Sequence, residues 1–291
     1  MTSQDGLSGS AFESWRPPLD LRTDRPHSAR VYNFLLGGKT NYQPDRDAVA
    51  RLLEVMPIAR PTAVENRAFM HRAAHYVAAE AGIRQFLDVG TGIPTEPNLH
   101  RVVQDVDPAA RVVYADNDPI VLAHSRALHQ GTAEGRTAYV HGDLCQPDAI
   151  LAEARRTLDF DEPVAVMLLT VLHWLPADAD PYDIVRRLMG AVPAGSALVI
   201  THLTRDFDAP SVGAAAEGLN QEGSNVTSRT REQVAAFFDG LDLVEPGLEV
   251  IERWRPSAPL ADTPALSIAS STAADAADEI VPLYAGVARK S

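Results

Sequence analysis

From Arg84 onward the hydrophobic period of the chain changes, and this change limits the possible folds more than any other feature. RQFLDVG, RVVYADND, TAYVHGDL, PVAVMLLTVL and SALVITHL read as buried strands. PNLHRVVQDV, PIVLAHSRALHQ, DAILAEARRTL and YDIVRRLMGAV, each lying between two of them, read as helices. Strands that alternate with single helices form a parallel sheet through right-handed crossovers, with helices on both faces. Further on, REQVAAFFDG predicts a helix, LVEPGLEVIERW (243–254) a strand and LYAGVARK a last strand. The expected α/β fold is Rossmann-like: a seven-stranded, mostly parallel sheet with one antiparallel strand near the C-terminus.

The part before Arg84 is helical. SARVYNFLLGGKTNY (28–42) predicts a short helix closed by Gly37-Gly38. Val49, Leu52, Leu53 and Met56 recur at helical spacing and stop at Pro57. A third helix runs from about Pro61 to Ala81, with Gly82 as its C-cap. The chain thus divides into a flexible arm over 1–26, a helical cap over 27–82 and a ligand-binding domain over 83–291. SAPLADTPALSIASSTAADAADE (257–279) is low in complexity and reads as a loop with a short helix.

Composition narrows the class of partner. A net charge of −13 argues against a nucleic-acid partner, which asks for a basic surface. The longest apolar run, Val164 to Leu175, is too short to span a bilayer, and MTSQDGLSGS lacks the pattern of a signal peptide. The lone cysteine, Cys145, forms no internal disulfide, which fits a cytoplasmic protein.

Ligands of open α/β sheets bind beyond the carboxyl ends of the strands, so the residues ending each strand carry the information. The first strand ends Asp88-Val-Gly90-Thr91-Gly92, the second Asp116-Asn117-Asp118, the third His141-Gly142-Asp143-Leu144 and the fourth Thr170-Val171-Leu172-His173-Trp174. Gly90 and Gly92 let a turn pass close beneath a nucleoside. Asp116 is placed to accept from ribose hydroxyls, with Asp118 as a helix cap. Asp143 suits the exocyclic amine of adenine, and the Leu144 N–H a ring nitrogen.

The same loop argues against a dinucleotide. Such a site wants G-x-G-x-x-G/A, but here Thr95 takes the third small position, Pro94 removes an N–H and Glu96 repels a pyrophosphate. Asp88 suits a ligand with a positive amino group. S-adenosylmethionine, with its adenosine, sulfonium and aminoacyl end, fits these signs.

FLDVGTGIPT, VVYADNDP, VHGDL and LLTVLHWLP resemble the strand-end motifs of class I S-adenosylmethionine-dependent methyltransferases. Together with ARVYNFLLGGKTNY and ENRAFMHRA, they resemble an actinobacterial-type family known only as S-adenosyl methyltransferases. The resemblance spans roughly residues 27–290. It departs at Asn33 and Thr40, where aspartates are expected. It implies that Asp88 reaches the methionine amine, that the loop Gly90-Thr91-Gly92 passes under the cofactor and that Asp116 holds the ribose. It further implies that Asn117 flanks the adenine, that Asp143 and Leu144 read its edge and that Thr170 lies beside the methionine moiety.

Other residues carry weaker signals. Arg30, Tyr32, Asn33 and Lys39 make the first helix a candidate lid over cofactor and acceptor, with Arg30 and Asn33 as cofactor contacts. His173, past the fourth strand, is a candidate general base and Tyr32 a second candidate catalytic side chain, with His202 behind them. His71 and His75 lie four apart on a helix but lack a third ligand, so they read as a solvated face and no metal is expected. Cys145 reads as a small apolar filler. The expected activity is in-line methyl transfer to a small-molecule acceptor. A cofactor-binding regulator without transfer and an NAD-dependent oxidoreductase are the alternatives.

Overall fold

The computed structural model describes residues 21–121, 123, 131–256 and 280–291. Most of the expected arm, most of the helix expected over 119–130 and the segment 257–279 lie outside the described residues. Three helices come first: α1 (Ser28–Leu35), α2 (Gln43–Val55) and α3 (Ala59–Ala79). The alternating part holds β1 (Gln85–Val89), α4 (Leu99–Val106), β2 (Arg111–Asp116), β3 (Arg136–His141), α5 (Pro147–Ala154) and β4 (Val164–Leu169). It continues with α6 (Pro181–Gly190), β5 (Ala197–Leu203), α7 (Ala209–Gln221) and α8 (Arg231–Ala235). The short β6 (Asp242–Leu243) and β7 (Glu249–Val250) precede β8 (Leu283–Arg289).

The sheet order is β3-β2-β1-β4-β5-β8-β6, with β7 also pairing β8. β1 to β5 run parallel, and β8 lies antiparallel to β5 from Ala197↔Arg289 to Leu203↔Leu283. The strand expected over 243–254 is two short pieces, because Pro246 and Gly247, at φ +92°, turn the chain between them. Both pieces pair with the free edge of β8. A further difference is α7, absent from the sequence reading. APSVGAAAEGLNQ offers few large apolar residues, so its period is faint, yet Asp208 caps it by accepting from the Ser211 N–H at 3.1 Å.

Alternate side chains of each strand enter two cores. Phe86, Val112, Tyr114, Met167 and Val199 face α3, whose Phe69, Ala73 and Val77 are fully buried. Leu87, Val113, Val166 and Leu198 face the other way, toward Ile150 of α5 and Leu188 of α6. Burial on both faces explains why β4 is an unbroken apolar run and not an alternating one. Trp254 closes the α3 side, edge-on to Phe69 at 5.2 Å.

A buried charge cluster fastens α1 to the strand ends. Arg30 is 1% exposed; its Nε lies 3.7 Å from Asp45 Oδ1 and 3.8 Å from Asp118 Oδ2. Its Nη2 donates to the carbonyls of Arg22 and Arg25, at 3.1 and 3.3 Å. His27 adds its N–H to Asp45 Oδ1 at 2.9 Å and sets Nδ1 3.2 Å from Asp118 Oδ2. Removing one member of a buried ion cluster leaves the others unpaired, which costs about 3 kcal/mol. Arg30→Met is therefore expected to lower the unfolding free energy measured in urea by that amount, and Arg30→Lys, which keeps the charge but loses the fork, by less.

Candidate active site

The strand order reverses between β1 and β4, and the site is built at that point. Gly90 leaves β1 at φ +75°, and its N–H donates to the Ala115 carbonyl at 2.8 Å. A Cβ at Gly90 would sit 2.4 Å from Val171 Cγ2, so glycine is required by space as well as by conformation. Thr170, ending β4, also takes a left-handed conformation, φ +51°. Its N–H is fixed by Thr201, at 2.9 Å from Oγ1 and 3.1 Å from the carbonyl. Strain of this kind in a non-glycine residue persists only where neighbours over-determine it, as they do at ligand sites.

Three strand-end carboxylates line a cavity of about 380 Å³. Asp116 is buried, with Oδ2 accepting from the Gly92 N–H at 2.8 Å and Oδ1 from the Asp118 N–H at 2.9 Å. Burial raises its pKa and these two bonds oppose the rise. Burial lifts the Asp88 carboxyl from its ordinary 3.8 to about 6, against the pull of a Thr91 hydrogen bond and the nearby Arg67 charge. Asp143 is exposed, and its Oδ1 accepts from the Cys145 N–H at 2.9 Å. Asn117 and Leu144 complete this end of the cavity, with Thr91, Thr170, Tyr32 and His173.

Two residues that the sequence reading left without a role join them. Asn66 of α3 donates to Tyr32 Oη at 2.9 Å and to Thr170 Oγ1 at 3.3 Å, and accepts from Thr201 Oγ1 at 2.6 Å. It thereby ties α1, β4 and β5 together above the cavity. Arg67 lines the cavity beside it, with Nη2 donating to the Thr95 and Pro97 carbonyls. Both lie in the ENRAFMHRA stretch, and a polar pair on an otherwise apolar-facing helix was the available signal.

Arg30 and Asn33 stand outside the lining, unlike the expectation for them. Arg30 is spent on the charge cluster. Asn33 Oδ1 accepts from the Thr40 N–H at 3.0 Å and from Asn41 Nδ2 at 3.1 Å, filling the space beneath Gly38. Lys39 is exposed and also outside the lining. Cys145 does line the cavity, its thiol raised to about 11 mainly by burial.

His173 and His202 are held neutral. His173 is 6% exposed, and burial, then His202 and Arg229, keep its pKa well below 6.5. His202 is outside the lining: its Nδ1 is 2.8 Å from the Leu203 carbonyl and its Nε2 2.8 Å from Arg229 Nη1, with a pKa near 3 set first by burial. His71 is buried, not solvated, with Nε2 2.9 Å from the Pro97 carbonyl; only His75 faces solvent. The two share a helix face, but the loop before α4 covers His71 through Pro97 and leaves His75 exposed.

In the loop 94–98 the Thr95 and Asn98 amides are already committed. The Thr95 N–H donates to Asn98 Oδ1 at 3.0 Å, and the Glu96 carboxylate accepts from Asn98 N and Nδ2 at 3.3 and 2.8 Å. An acid thus occupies the start of α4, where a pyrophosphate would sit.

A family model described as S-adenosyl methyltransferase matches residues 15–291. The chain belongs to that family. A crystal structure of a DUF574 family protein from Streptomyces avermitilis is 41% identical, with a TM-score of 0.85, over 93% of this chain and 100% of that one. A candidate methyltransferase from Thermobifida fusca is 36% identical, with a TM-score of 0.80, over 96% of this chain and 100% of that one. No curated protein matches the chain at a significant level. The protein is thus an S-adenosylmethionine-dependent methyltransferase. Among the described residues of this methyltransferase, no helix is long and apolar enough to cross a membrane and no acidic, histidine or cysteine group could hold a metal.

The raised Asp88 gives the methyltransferase a pH signature. A carboxyl that ionises at 3.8 when unfolded and about 6 when folded costs stability as pH rises through that interval. Asp88→Asn is expected to be more stable than the parent in urea unfolding at pH 7, by roughly 3 kcal/mol, with the difference vanishing below pH 4.

Proposed function

We propose that the methyltransferase moves the methyl group in line onto a small-molecule acceptor bound under α1, α2 and α7. The observation that supports this most directly is the continuity of one cavity, from the strand-end carboxylates to an apolar wall formed by those helices. When bound, S-adenosylmethionine supplies a methyl group on a positively charged sulfur, a leaving group that needs no acid from the protein. The protein's contribution is then alignment and exclusion of water.

The residues present fit that cofactor, because the strand-end acids and the glycine turn line one cavity with Arg67, whose buried Nε lacks a partner. In this reading Asp116 accepts from the ribose hydroxyls while its backbone bonds keep it ionised. Asp143 and the Leu144 N–H take the adenine edge, with Asn117 beside the ring. Gly90, Thr91 and Gly92 pass beneath the nucleoside, and Thr170 flanks the methionine part. Asp88 takes the ammonium group. Arg67, with Nε buried and lacking a partner, takes the carboxylate of the same end. The helices before β1 act as a cap in which Tyr32 and Asn66 form the roof. The lone cysteine supports a reducing, cytoplasmic setting.

Neither candidate is a strong base. The Tyr32 hydroxyl donates to the Ala63 carbonyl at 3.0 Å and burial raises its pKa, while His173 is held neutral. Both serve as shape and hydrogen-bonding surface.

Calorimetric titration is expected to show binding of S-adenosylhomocysteine and none of NAD; the opposite pattern would refute the reading. Asp116→Ala should cost about 2 kcal/mol of that binding, as for a lost hydrogen bond to a charged group. Arg67→Gln should weaken S-adenosylhomocysteine roughly tenfold but leave its decarboxylated analogue unchanged, since the bidentate carboxylate partner is what the variant loses. Equal loss for both ligands would remove Arg67 from the carboxylate.

A further inference from the structure

We propose that the acceptor is an uncharged, largely apolar molecule that presents a weakly basic nitrogen, of the aryl-amine type, to the methyl group. This rests on the methyl-transfer reading above and adds the chemical class of its substrate.

The first support is the distribution of charge around the cavity. Its charged lining residues are Asp88, Asp116, Asp143 and Arg67. The three acids stand at the ends of β1, β2 and after β3, and Arg67 acts on Asp88 through space. Away from them, the wall formed by α1, α2 and α7 presents Leu35, Leu52, Ala215, Ala216 and Leu219, with Trp174 opposite. The one ionisable side chain that those three helices give the lining is Tyr32, whose hydroxyl donates to the Ala63 carbonyl. A charged acceptor placed there would give up its hydration and meet no counter-ion, so that half selects neutral molecules.

The second support is the weak basicity of the ring beside that wall: among the described residues His173 lines the cavity with an Nδ1 that has no partner, but a proton there is disfavoured. Tyr32 has committed its proton to the Ala63 carbonyl and receives one from Asn66. His173 is buried against His202, with ring centroids 5.5 Å apart, and His202 in turn faces the guanidinium of Arg229. Positive charge on His173 is therefore opposed from behind by Arg229 and by burial itself. A neutral alcohol would have to lose its proton as it reacts, and the His173 ring would take it only against burial and the charge of Arg229. An aliphatic amine would arrive protonated, and a phenolate or carboxylate would arrive charged.

An aryl amine or similar ring-bound nitrogen meets both conditions, being neutral near pH 7 with its lone pair free. The acceptor's lone pair forms the new bond to the methyl carbon as the carbon–sulfur bond breaks, the electron pair remaining on sulfur. The nitrogen becomes cationic for a moment and its proton leaves to water after the transfer. No oxidant, metal or protein base is needed.

A matched set of probes tests this: naphthylamine, naphthol, naphthoate and naphthylmethylamine, titrated into protein saturated with S-adenosylhomocysteine. Naphthylamine is expected to bind roughly tenfold or more tightly than naphthoate or naphthylmethylamine, reflecting the cost of an unpaired buried charge. With S-adenosylmethionine, mass spectrometry should find methylated naphthylamine and no methylated naphthol. Ala216→Glu, at a half-buried wall position, should reverse the preference between naphthylamine and the cationic naphthylmethylamine while S-adenosylhomocysteine still binds. Equal or tighter binding of either charged probe, preferred methylation of naphthol, or no binding by any probe would overturn the inference. Loss of S-adenosylhomocysteine binding in the parent protein would instead remove the reading beneath it, so the two failures are separable.

Discussion

The Asp116 carboxylate is the point through which the parts of this site are joined. It is buried at the end of β2 and holds the Gly92 N–H with one oxygen and the Asp118 N–H with the other. The first bond sets the turn after β1. The second sets the loop whose Asp118 faces His27 and Arg30 of the cap. The glycine turn, the nucleoside end and the helices above it thus share one buried acid. An unpaired charge in that position would be costly, and the two backbone donors are what allow it to remain.

Around this point the chain separates its tasks by chemistry. Acids collect where strands end, because the sheet stops there and side chains reach solvent and ligand. Apolar residues line the space under α1, α2 and α7, where the same side chains also complete the helix packing. Between the two halves lies Asn66, with every polar atom of its amide in use. Such a side chain resists rotation and so fixes the distance between cap and sheet. Methyl transfer asks little more than this, since the reaction depends on alignment in a dry site.

Much of the site was legible because it obeys a topological rule. Asp88, Gly90, Thr91, Gly92, Asp116, Asn117, Asp143, Leu144 and Thr170 all follow strands, and in a parallel sheet all such ends emerge on one side. The Glu96 argument against a pyrophosphate has a physical counterpart in its bonds to Asn98. Arg30 and Asn33 were read as ligand contacts from their helix alone, but a helix does not announce which face turns inward. Their neighbours Tyr32 and Leu35 face the cavity, while Arg30 faces Asp45 and Asp118. The α7 helix was missed because its alanines and glycines carry almost no period.

The sequence by itself determined the parallel sheet, the gathering of strand-end acids and glycines on one side of it, and a loop ill-suited to a diphosphate. Those follow from local patterns: apolar runs buried on both faces, strand-end acids, and glycines that only a tight turn requires. Only the tertiary structure decided that Asn66 and Arg67 join the cavity lining, that His173 sits against a neutral His202 backed by the Arg229 cation and that α7 closes the apolar wall. Each of these depends on which faces meet when distant segments pack, and on how burial changes a group's charge, neither of which a linear pattern encodes.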